Sequence, residues 1–346
     1  MLKKQFDFLI FIGRLQPFHL GHYKIVQKAL ELADNVVILC GSANSPRTIR
    51  NPWTVEEREE MIRRCFTLFD NNRIIIKGLD DVLYNDKLWI EITVKKVKSI
   101  IDSFSENNEF KIGLIGHEKD HSSYYLKLFP DWQYIAIENE KNISSTPIRE
   151  EFLNNQNLST SSIEKLHESV YSYLLEFSSL PYYKSLVEEA EFVNQYKQAW
   201  DKAPYLPIFI TVAAAIVKHD HVLFIRRQNI PGKGLIELPG DFVNSNEKLF
   251  EECIRILKEK ANLDLSSNKL KDYVRSARIF DEPQRSSLGR VITYVFYFEL
   301  PNDPDSNHFI NNNAGKEISW YPLNKLNPTE IYDDHYHIIR NILKIL

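Results

Sequence analysis

The sequence predicts an α/β protein of two domains, the first built on a doubly wound parallel sheet and the second of the α+β class. Through Thr146, short apolar runs that suit buried strands alternate with helical segments, which is the rhythm of βαβ units. A segment with two prolines, DKAPYLP, separates this half from a strand-rich half that begins near Ile208. We therefore predict domains at 1–180 and 205–346, joined by a helical linker over 181–204.

The individual elements follow from the apolar pattern. FLIFIG, VVILCGSA, RIIIKGL, KIGLIGH and WQYIAIE are short and apolar, as strands buried on both faces are. HYKIVQKALELA and TVEEREEMIRRCF carry apolar residues at helical spacing, and 163–200 also reads as helical. In the second half, IFITVAAAIV, HVLFIRRQ and RVITYVFYFEL predict strands around one long helix near Lys248 to Lys260.

Composition limits the class of protein. A chain of 346 residues with 43% hydrophobic and 26% charged residues can bury two cores and is typical of soluble globular proteins. The formal charge of −4 gives no basic surface for nucleic acid, and no apolar run reaches membrane-spanning length. Cys40, Cys65 and Cys253 lie far apart, which indicates a reducing compartment. We expect a cytoplasmic protein with no nucleic-acid or membrane partner. The composition is also compatible with a homo-oligomer.

The loop GRLQPFHLGH, between the first strand and its helix, predicts a phosphate site. It combines Gly13, Arg14, His19, Gly21 and His22 where helix N-terminal N–H groups would face an anion. The alternative is that one histidine caps the helix and the other packs against it. Cations, flexible backbone and imidazoles in one loop favour phosphate.

A second segment, ISSTPIR, also suits an anion. Ser144, Ser145 and Thr146 would begin a helix whose N–H groups hold phosphate, with Arg149 one turn later. Arg47 is a further candidate clamp, because a guanidinium binds phosphate through two parallel hydrogen bonds. The alternative is ordinary N-capping, since Ser/Thr, Pro and Glu at this spacing cap a helix without any ligand.

GRLQPFHLGH, ISSTPIR and NPWTVEER together resemble the archaeal-type nicotinamide mononucleotide adenylyltransferases, which are HxGH nucleotidyltransferases of Rossmann-like fold. The resemblance covers most of residues 1–180. It implies transfer of AMP from ATP to nicotinamide mononucleotide, giving NAD and pyrophosphate, with Mg²⁺ on the triphosphate. The catalytic candidates are then His19, His22, Arg14 and Arg149, and the phosphate-binding candidates are Gly13, Gly21, Arg47, Ser144, Ser145 and Thr146.

The resemblance also suggests where the nicotinamide nucleotide binds. Tyr84, Asn85 and Trp89 would supply an aromatic face and an amide partner, or they form a strand-to-helix turn followed by a core tryptophan. His117 and Asp120 would line the ribose and phosphate, or they belong to a plain polar loop. Nicotinamide and nicotinic acid mononucleotides share ribose and phosphate, so the sequence does not choose between them.

The second half resembles a Nudix domain. In GLIELPGDFVNSNEKLFEECIRILKEKANL, Glu247, Arg255 and Glu259 stand at Nudix-box offsets from Asp241. Downstream, FDEPQRSSLGRVIT resembles Nudix proteins that act on ADP-ribose. The Nudix resemblance covers about 205–346 and implies ADP-ribose or a related nucleotide as ligand. With both halves together, the chain resembles adenylyltransferases fused to an ADP-ribose pyrophosphatase.

This box is altered where its metal chemistry resides. Ile256 and Lys260 stand where two glutamates are usual, which makes a divalent metal on Glu247 and Glu259 doubtful. Glu251 and Glu252 are interpreted as solvated surface carboxylates. We expect nucleotide binding with weak or absent hydrolysis, and the alternatives are a fully bifunctional enzyme or a ligand sensor or scaffold. The nucleotide-binding candidates are Arg226, Arg227, Arg285 and Arg290.

Overall fold

The computed structural model describes residues 4–105, 109–117, 128–129, 131–138, 143–261, 267–301 and 318–345. The chain divides into two compact units, residues 1–190 (unit 1) and 191–346 (unit 2). Among the described residues, no helix is both long enough and apolar enough to cross a membrane.

Unit 1 is a parallel sheet with connecting helices, as predicted. Its strands are β1 (Phe6–Gly13), β2 (Ala33–Cys40), β3 (Ile74–Gly78), β4 (Ile112–Gly116) and β5 (Gln133–Ala136). Its helices are α1 (Leu20–Leu32), α2 (Val55–Arg63), α3 (Leu68–Asn71), α4 (Asp86–Asp102), α5 (Ser145–Asn155), α6 (Thr160–Ile163), α7 (Glu168–Ser178) and α8 (Pro181–Gln198), the last of which continues into unit 2. The strand order is β3-β2-β1-β4-β5 with every pairing parallel, which is the predicted doubly wound topology.

Apolar residues on both faces of this sheet explain why its strands read as continuous apolar runs. Successive side chains of a strand point to opposite faces. Leu9 and Phe11 of β1 accordingly belong to one hydrophobic cluster, whereas Phe8, Ile10 and Ile12 belong to another. Helices that cover both faces leave only the strand ends for a ligand.

Unit 2 is a mixed sheet with helices, which confirms the predicted α+β class. Its strands are β6 (Ile208–Lys218), β7 (His221–Arg226), β8 (Ile236–Glu237), β9 (Gly240–Phe242), β10 (Val274–Phe280), β11 (Arg290–Leu300) and β12 (Ile318–Pro322). Its helices are α9 (Leu249–Ala261), α10 (Ser267–Tyr273) and α11 (His335–Leu343), with 3-10 turns at Leu323–Lys325 and Pro328–Glu330. The order is β10-β11-β6-β7-β12, with β8 on β7 and β9 on β6. Cys253, Ile256 and Leu257 of α9 lie in the main core cluster of this unit.

Candidate functional sites

The loops that follow the strands of unit 1 meet at the carboxyl edge of the sheet. The Gly41 N–H after β2 donates to the Gly13 carbonyl at the end of β1 (2.9 Å), and the Ala43 N–H donates to Leu79 O after β3 (3.1 Å). His117 directly follows β4. In a doubly wound sheet this edge is the usual place for a ligand, so the predicted motifs lie where they can act together.

His19 and His22 cap helix α1, and their capping hydrogen bonds determine which ring nitrogen carries the proton. His19 is the N-cap, and its Nδ1 accepts from the N–H groups of Gly21 (3.1 Å) and His22 (3.4 Å). His22 Nδ1 accepts from the His19 N–H (3.4 Å), and the two buried rings stack with centroids 3.6 Å apart. A ring nitrogen that accepts an N–H carries no proton, so each neutral ring has its proton on Nε2. Capping therefore engages Nδ1 of both rings and places the proton of each on Nε2, and an Nε2–H group is a donor of the kind that suits phosphate oxygens.

Gly21 lies between the imidazole rings of His19 and His117, where a larger side chain would contact both. A Cβ at this position would lie 3.0 Å from His19 Cε1 and 3.8 Å from His117 Nε2. His117 Nδ1 donates to the Ile137 carbonyl (2.6 Å), so in the neutral ring Nε2 is an acceptor. His117 is nine-tenths buried, and within the described ranges its Nε2 has no hydrogen-bond partner. Asp120, predicted to act beside it, lies outside the described residues.

Helix α5 begins where ISSTPIR predicts, without the capping bond that the alternative required. Ser144 is the N-cap residue, but its side chain makes no capping hydrogen bond. Ser145 Oγ instead donates to the Pro17 carbonyl in the first loop (3.0 Å), and Thr146 Oγ1 accepts from Arg149 Nη2 (3.4 Å). The plain-capping interpretation is therefore wrong, because these side chains tie α5 to the loop and to Arg149.

Arg149 is a buried cation surrounded by neutral acceptors. Its guanidinium donates to Gln16 O (2.8 Å) and Ile49 O (3.1 Å). Burial, together with the nearby charges of Arg14 and Arg50, lowers its pKa to about 10. Arg149 stays charged because its pKa is still well above neutrality, and among the described residues the three cations outnumber the one nearby carboxylate, that of Glu150, so the site favours an anion. Arg50 was missed in the sequence.

Arg47 is held differently from Arg149. Its guanidinium makes a two-pronged ion pair with Glu57, with Nη1 2.9 Å and Nη2 3.0 Å from the carboxylate oxygens. It also lies over the Tyr182 ring at 4.1 Å from the centroid and donates to the Pro52 carbonyl. The charge of Arg47 is thus compensated locally, and its predicted phosphate contact stays a prediction.

Arg58 and Asp81 support the site and were not singled out from the sequence. Arg58 is fully buried and donates to Arg14 O and Gly41 O, both at 2.7 Å, so it joins the loops after β1 and β2. Burial lowers its pKa. Asp81 accepts from the Ser42 N–H (3.2 Å) and hydroxyl (2.6 Å). Helical spacing was the available signal for Arg58, which shares the buried face of α2 with Met61.

The predicted nicotinamide segment forms the start of α4. Asn85 is the N-cap, and its side chain accepts from the Leu88 N–H (3.1 Å). Tyr84 has a positive φ of 67°, and the half-buried Trp89 contacts Phe129 with ring centroids 6.0 Å apart. This arrangement matches the turn-and-core alternative. The contact of these residues with nicotinamide stays a prediction.

Unit 2 has a cavity of about 460 Å³ that contains most of its predicted arginines. Arg226, Arg227 and Arg285 line the cavity, whereas Arg290 lies outside the described lining and donates to the Asp281 carbonyl. The further charged lining residues are Glu237, Asp241, Glu259, Lys260 and Asp333.

The three arginines in this cavity differ in how their charge is compensated. Arg285 is buried and donates to both oxygens of Asp334, at 2.9 and 2.6 Å. Arg227 pairs with Glu237, whose pKa is nevertheless raised by burial. The exposed Arg226 donates to the neutral oxygens of a glycine carbonyl and a tyrosine hydroxyl. Among these arginines, Arg226 is therefore best placed to meet an anionic ligand.

Carboxylates of helix α9 and of the turn before it bind Arg255, the arginine of this helix. Arg255 contacts Glu247 (3.0 Å), Glu259 (2.6 Å) and Glu252. Glu252 is fully buried, and its carboxylate accepts from the Asn244 N–H (3.1 Å), so its interpretation as a surface carboxylate is wrong. Burial and the neighbouring Glu247 raise the pKa of Glu252, whereas hydrogen bonds from Glu252 and Arg255 lower that of Glu247 to about 2.

The residues of α9 do not fit a Nudix-type divalent ion. Ile256 is buried in the core, and Lys260 Nζ lies 2.6 Å from Asp241 Oδ2 and 3.0 Å from Gly240 O. In the part of the chain that the structure describes, no group of three or more His, Cys, Asp or Glu side chains is arranged to hold a metal. Two protein cations, those of Arg255 and Lys260, contact the nearby anionic oxygens instead.

Comparison with protein families matches the two units separately. Residues 10–151 match the family described as cytidylyltransferase-like, and residues 208–342 match the NUDIX domain. The fold and the two sites thus define a nucleotidyltransferase domain followed by a Nudix domain.

Individual relatives narrow the family. A nicotinamide/nicotinic acid mononucleotide adenylyltransferase of Acinetobacter baylyi is 40% identical over 186 residues, which are 54% of this chain and 94% of that protein. A nicotinamide-nucleotide adenylyltransferase of Saccharolobus solfataricus is 31% identical over 169 residues, or 48% and 89% of the two chains.

A solved structure covers both units. The bifunctional NMN adenylyltransferase/ADP ribose pyrophosphatase of Francisella tularensis, crystallised with AMP and a manganese ion, matches with a TM-score of 0.84 and 32% identity. The match covers 98% of this chain and 99% of that one. This chain belongs to the family of nicotinamide mononucleotide adenylyltransferases that carry a Nudix domain, and it is an enzyme of the nucleotidyltransferase class.

Proposed function

We propose that unit 1 makes NAD and pyrophosphate from nicotinamide mononucleotide and ATP, and that Mg²⁺ enters with ATP as part of the substrate. The convergence of two Nε2–H donors, the start of α5 and the cations Arg14 and Arg149 at one sheet edge carries this proposal. An anionic triphosphate suits such a site, because oriented donors and uncompensated positive charge act together.

The transfer needs no covalent enzyme intermediate. A phosphate oxygen of the mononucleotide attacks the α-phosphorus of ATP, a new P–O bond forms, and the bond to the β-phosphate oxygen breaks as pyrophosphate leaves. His19 and His22 donate through Nε2 to the phosphate oxygens on which charge develops, and Arg14 and Arg149 neutralise the departing pyrophosphate. Catalysis is then mostly positioning, and the hydrogen bonds around Arg58 hold the two loops in place.

The mononucleotide binds beside these groups. His117 Nε2, an acceptor in the neutral ring, suits a ribose hydroxyl, and Tyr84, Asn85 and Trp89 are the candidates for contact with the nicotinamide. Turnover of purified protein with ATP and either nicotinamide or nicotinic acid mononucleotide, followed by chromatography of the products, tests the activity and the preference together. Failure to form either dinucleotide would overturn the proposal for unit 1.

For unit 2 we propose that the cavity binds ADP-ribose or a related nucleotide and hydrolyses it weakly or not at all. Its volume and arginines support binding, and Ile256 and Lys260 in place of carboxylates argue against metal-dependent cleavage. Release of AMP and ribose 5-phosphate from ADP-ribose by the unmodified protein with Mg²⁺ or Mn²⁺ tests this. Rapid metal-dependent release would favour the fully bifunctional alternative.

A further inference from the structure

Lys260 is the last basic residue of α9, and its side chain reaches the wall of the cavity. Its ammonium group lies 2.6 Å from Asp241 Oδ2 and 3.0 Å from the Gly240 carbonyl oxygen. A carboxylate and a main-chain carbonyl are oxygen ligands of the kind that Mg²⁺ and Mn²⁺ prefer. The ammonium therefore contacts the oxygens that would otherwise be offered to a metal at this wall.

Three carboxylates on α9 or just before it are also engaged. Glu247, Glu252 and Glu259 all contact Arg255, so one fixed cation already shares these three carboxylates. A divalent ion placed here would lose ligands to Arg255 and would be repelled by Lys260. Two separate features thus disfavour a metal in the same place.

We propose that Lys260 is a built-in cation that takes the place of a divalent ion in unit 2, so that this cavity binds its nucleotide without metal. The proposal rests on nucleotide binding by unit 2 and adds how the charge of the diphosphate is compensated. Lys260 supplies one positive charge beside the ligand. The exposed Arg226, whose hydrogen bonds within the described residues go to neutral oxygens, supplies another. An ammonium group that already donates to Gly240 and Asp241 does not activate water, so binding proceeds without cleavage.

The first experiment measures ADP-ribose binding to the full-length protein by calorimetry, once in EDTA and once in Mn²⁺. We expect affinities that agree within about twofold. Lys260→Glu adds a carboxylate beside Asp241 and Glu259, and its ADP-ribose affinity should become metal-dependent, about tenfold or more weaker in EDTA. Lys258→Glu makes the same charge change at an exposed position of the same helix and should behave as the unmodified protein.

The second experiment measures Mn²⁺ alone by electron paramagnetic resonance, without any nucleotide. The unmodified protein and Lys258→Glu should take up no tightly bound Mn²⁺, whereas Lys260→Glu should gain a site. If Lys260→Glu does not fold, Lys260→Met serves instead: loss of the ammonium should weaken ADP-ribose binding in EDTA by about tenfold.

The outcomes separate the inference from the function on which it rests. Binding of ADP-ribose by the unmodified protein only when Mn²⁺ is present would overturn the inference and leave nucleotide binding intact. No binding under either condition would overturn the proposed function of unit 2, and the Mn²⁺ measurement would then decide whether Lys260 excludes a metal. A tight Mn²⁺ site in the unmodified protein, or none in Lys260→Glu, would also overturn the inference.

Discussion

Two buried arginines of unit 1 and two cations of unit 2 differ in the partners that hold them. In unit 1, Arg58 and Arg149 are buried, and their hydrogen bonds within the described residues go to neutral oxygens. In unit 2, Arg285 and Lys260 each contact an aspartate at 2.6 Å. Positive charge whose hydrogen-bond partners are neutral attracts an anionic substrate and stabilises charge that develops in a transition state, whereas an aspartate beside a cation offsets part of that effect. The comparison suggests catalysis in unit 1 and binding without cleavage in unit 2.

The largest expected effect comes from His22, at the end of the GRLQPFHLGH segment that joins β1 to α1. His22→Asn keeps an acceptor near the position of Nδ1 and removes the Nε2–H donor. Turnover should fall by about a hundredfold or more, because such a donor acts mainly on the transition state. Steady-state assay of dinucleotide formation measures it.

His167→Asn is the matched control for this change. His167 caps α7 by accepting from the Ser169 N–H (3.2 Å), so the substitution repeats the cap exchange in the same unit. Near-normal turnover is expected for the control. Equal loss in both variants would mean that His22 acts only through the helix cap.

Arg149→Met tests the uncompensated charge directly. Because the substitution removes a buried cation beside Arg14, kcat/KM for ATP should fall by about a hundredfold. Arg64→Met is the comparison, since Arg64 forms more exposed ion pairs with Glu60 (2.6 Å) and Glu176 (2.7 Å) on the same unit. A comparable loss from Arg64→Met would remove the distinction between paired and unpaired cations.

Gly21→Ala should lower activity with little net change in stability. The added methyl group would lie 3.0 Å from His19 Cε1, so that ring must shift, and turnover should fall by about tenfold. Alanine favours a helix by about 0.5–1 kcal/mol over glycine, which offsets the cost of disturbing the His19 cap, so the free energy of unfolding should change little. Kinetics and denaturant unfolding together check this, and unchanged turnover would argue against a close fit around His19.

The stability of unit 2 should depend on pH through His335. Burial lowers the pKa of His335 to about 3, and its Nδ1 accepts from the Leu238 N–H (2.9 Å). Between pH 6.5 and about 3, His335 binds a proton in the unfolded chain but stays neutral in the folded chain. The free energy of unfolding therefore falls as the pH falls, by up to about 1.4 kcal/mol per pH unit.

Denaturant unfolding at several pH values measures this dependence. His335→Gln retains an acceptor and has no titratable ring, so its unfolding free energy should depend less steeply on pH. An identical dependence in the two proteins would show that other groups are responsible.

The parts predicted well from the sequence are those formed by contiguous residues. The strand–loop–helix around His19 and His22 and the start of α5 at Ser145 both lie within one short segment. Local spacing is enough there, because helix caps involve residues two or three positions apart.

The features that were missed depend on contacts between distant segments. Arg58 reaches the Arg14 carbonyl across 44 positions, and Arg285 reaches Asp334 across 49. A charged side chain predicts a surface position, but Glu252 is buried on α9, where the Asn244 N–H from outside the helix and Arg255 bind its carboxylate. Sequence spacing identified the altered Nudix box, but only the fold placed Lys260 against Asp241 and Gly240.

The central claim is that unit 1 catalyses while unit 2 binds without cleaving, and one incubation tests it. The full-length protein is given ATP, nicotinamide mononucleotide, ADP-ribose and Mg²⁺, and NAD, AMP and ribose 5-phosphate are quantified over time. We expect NAD to accumulate over many turnovers while ADP-ribose is retained. Accumulation of AMP and ribose 5-phosphate at a rate similar to that of NAD, or the absence of NAD, would contradict the account.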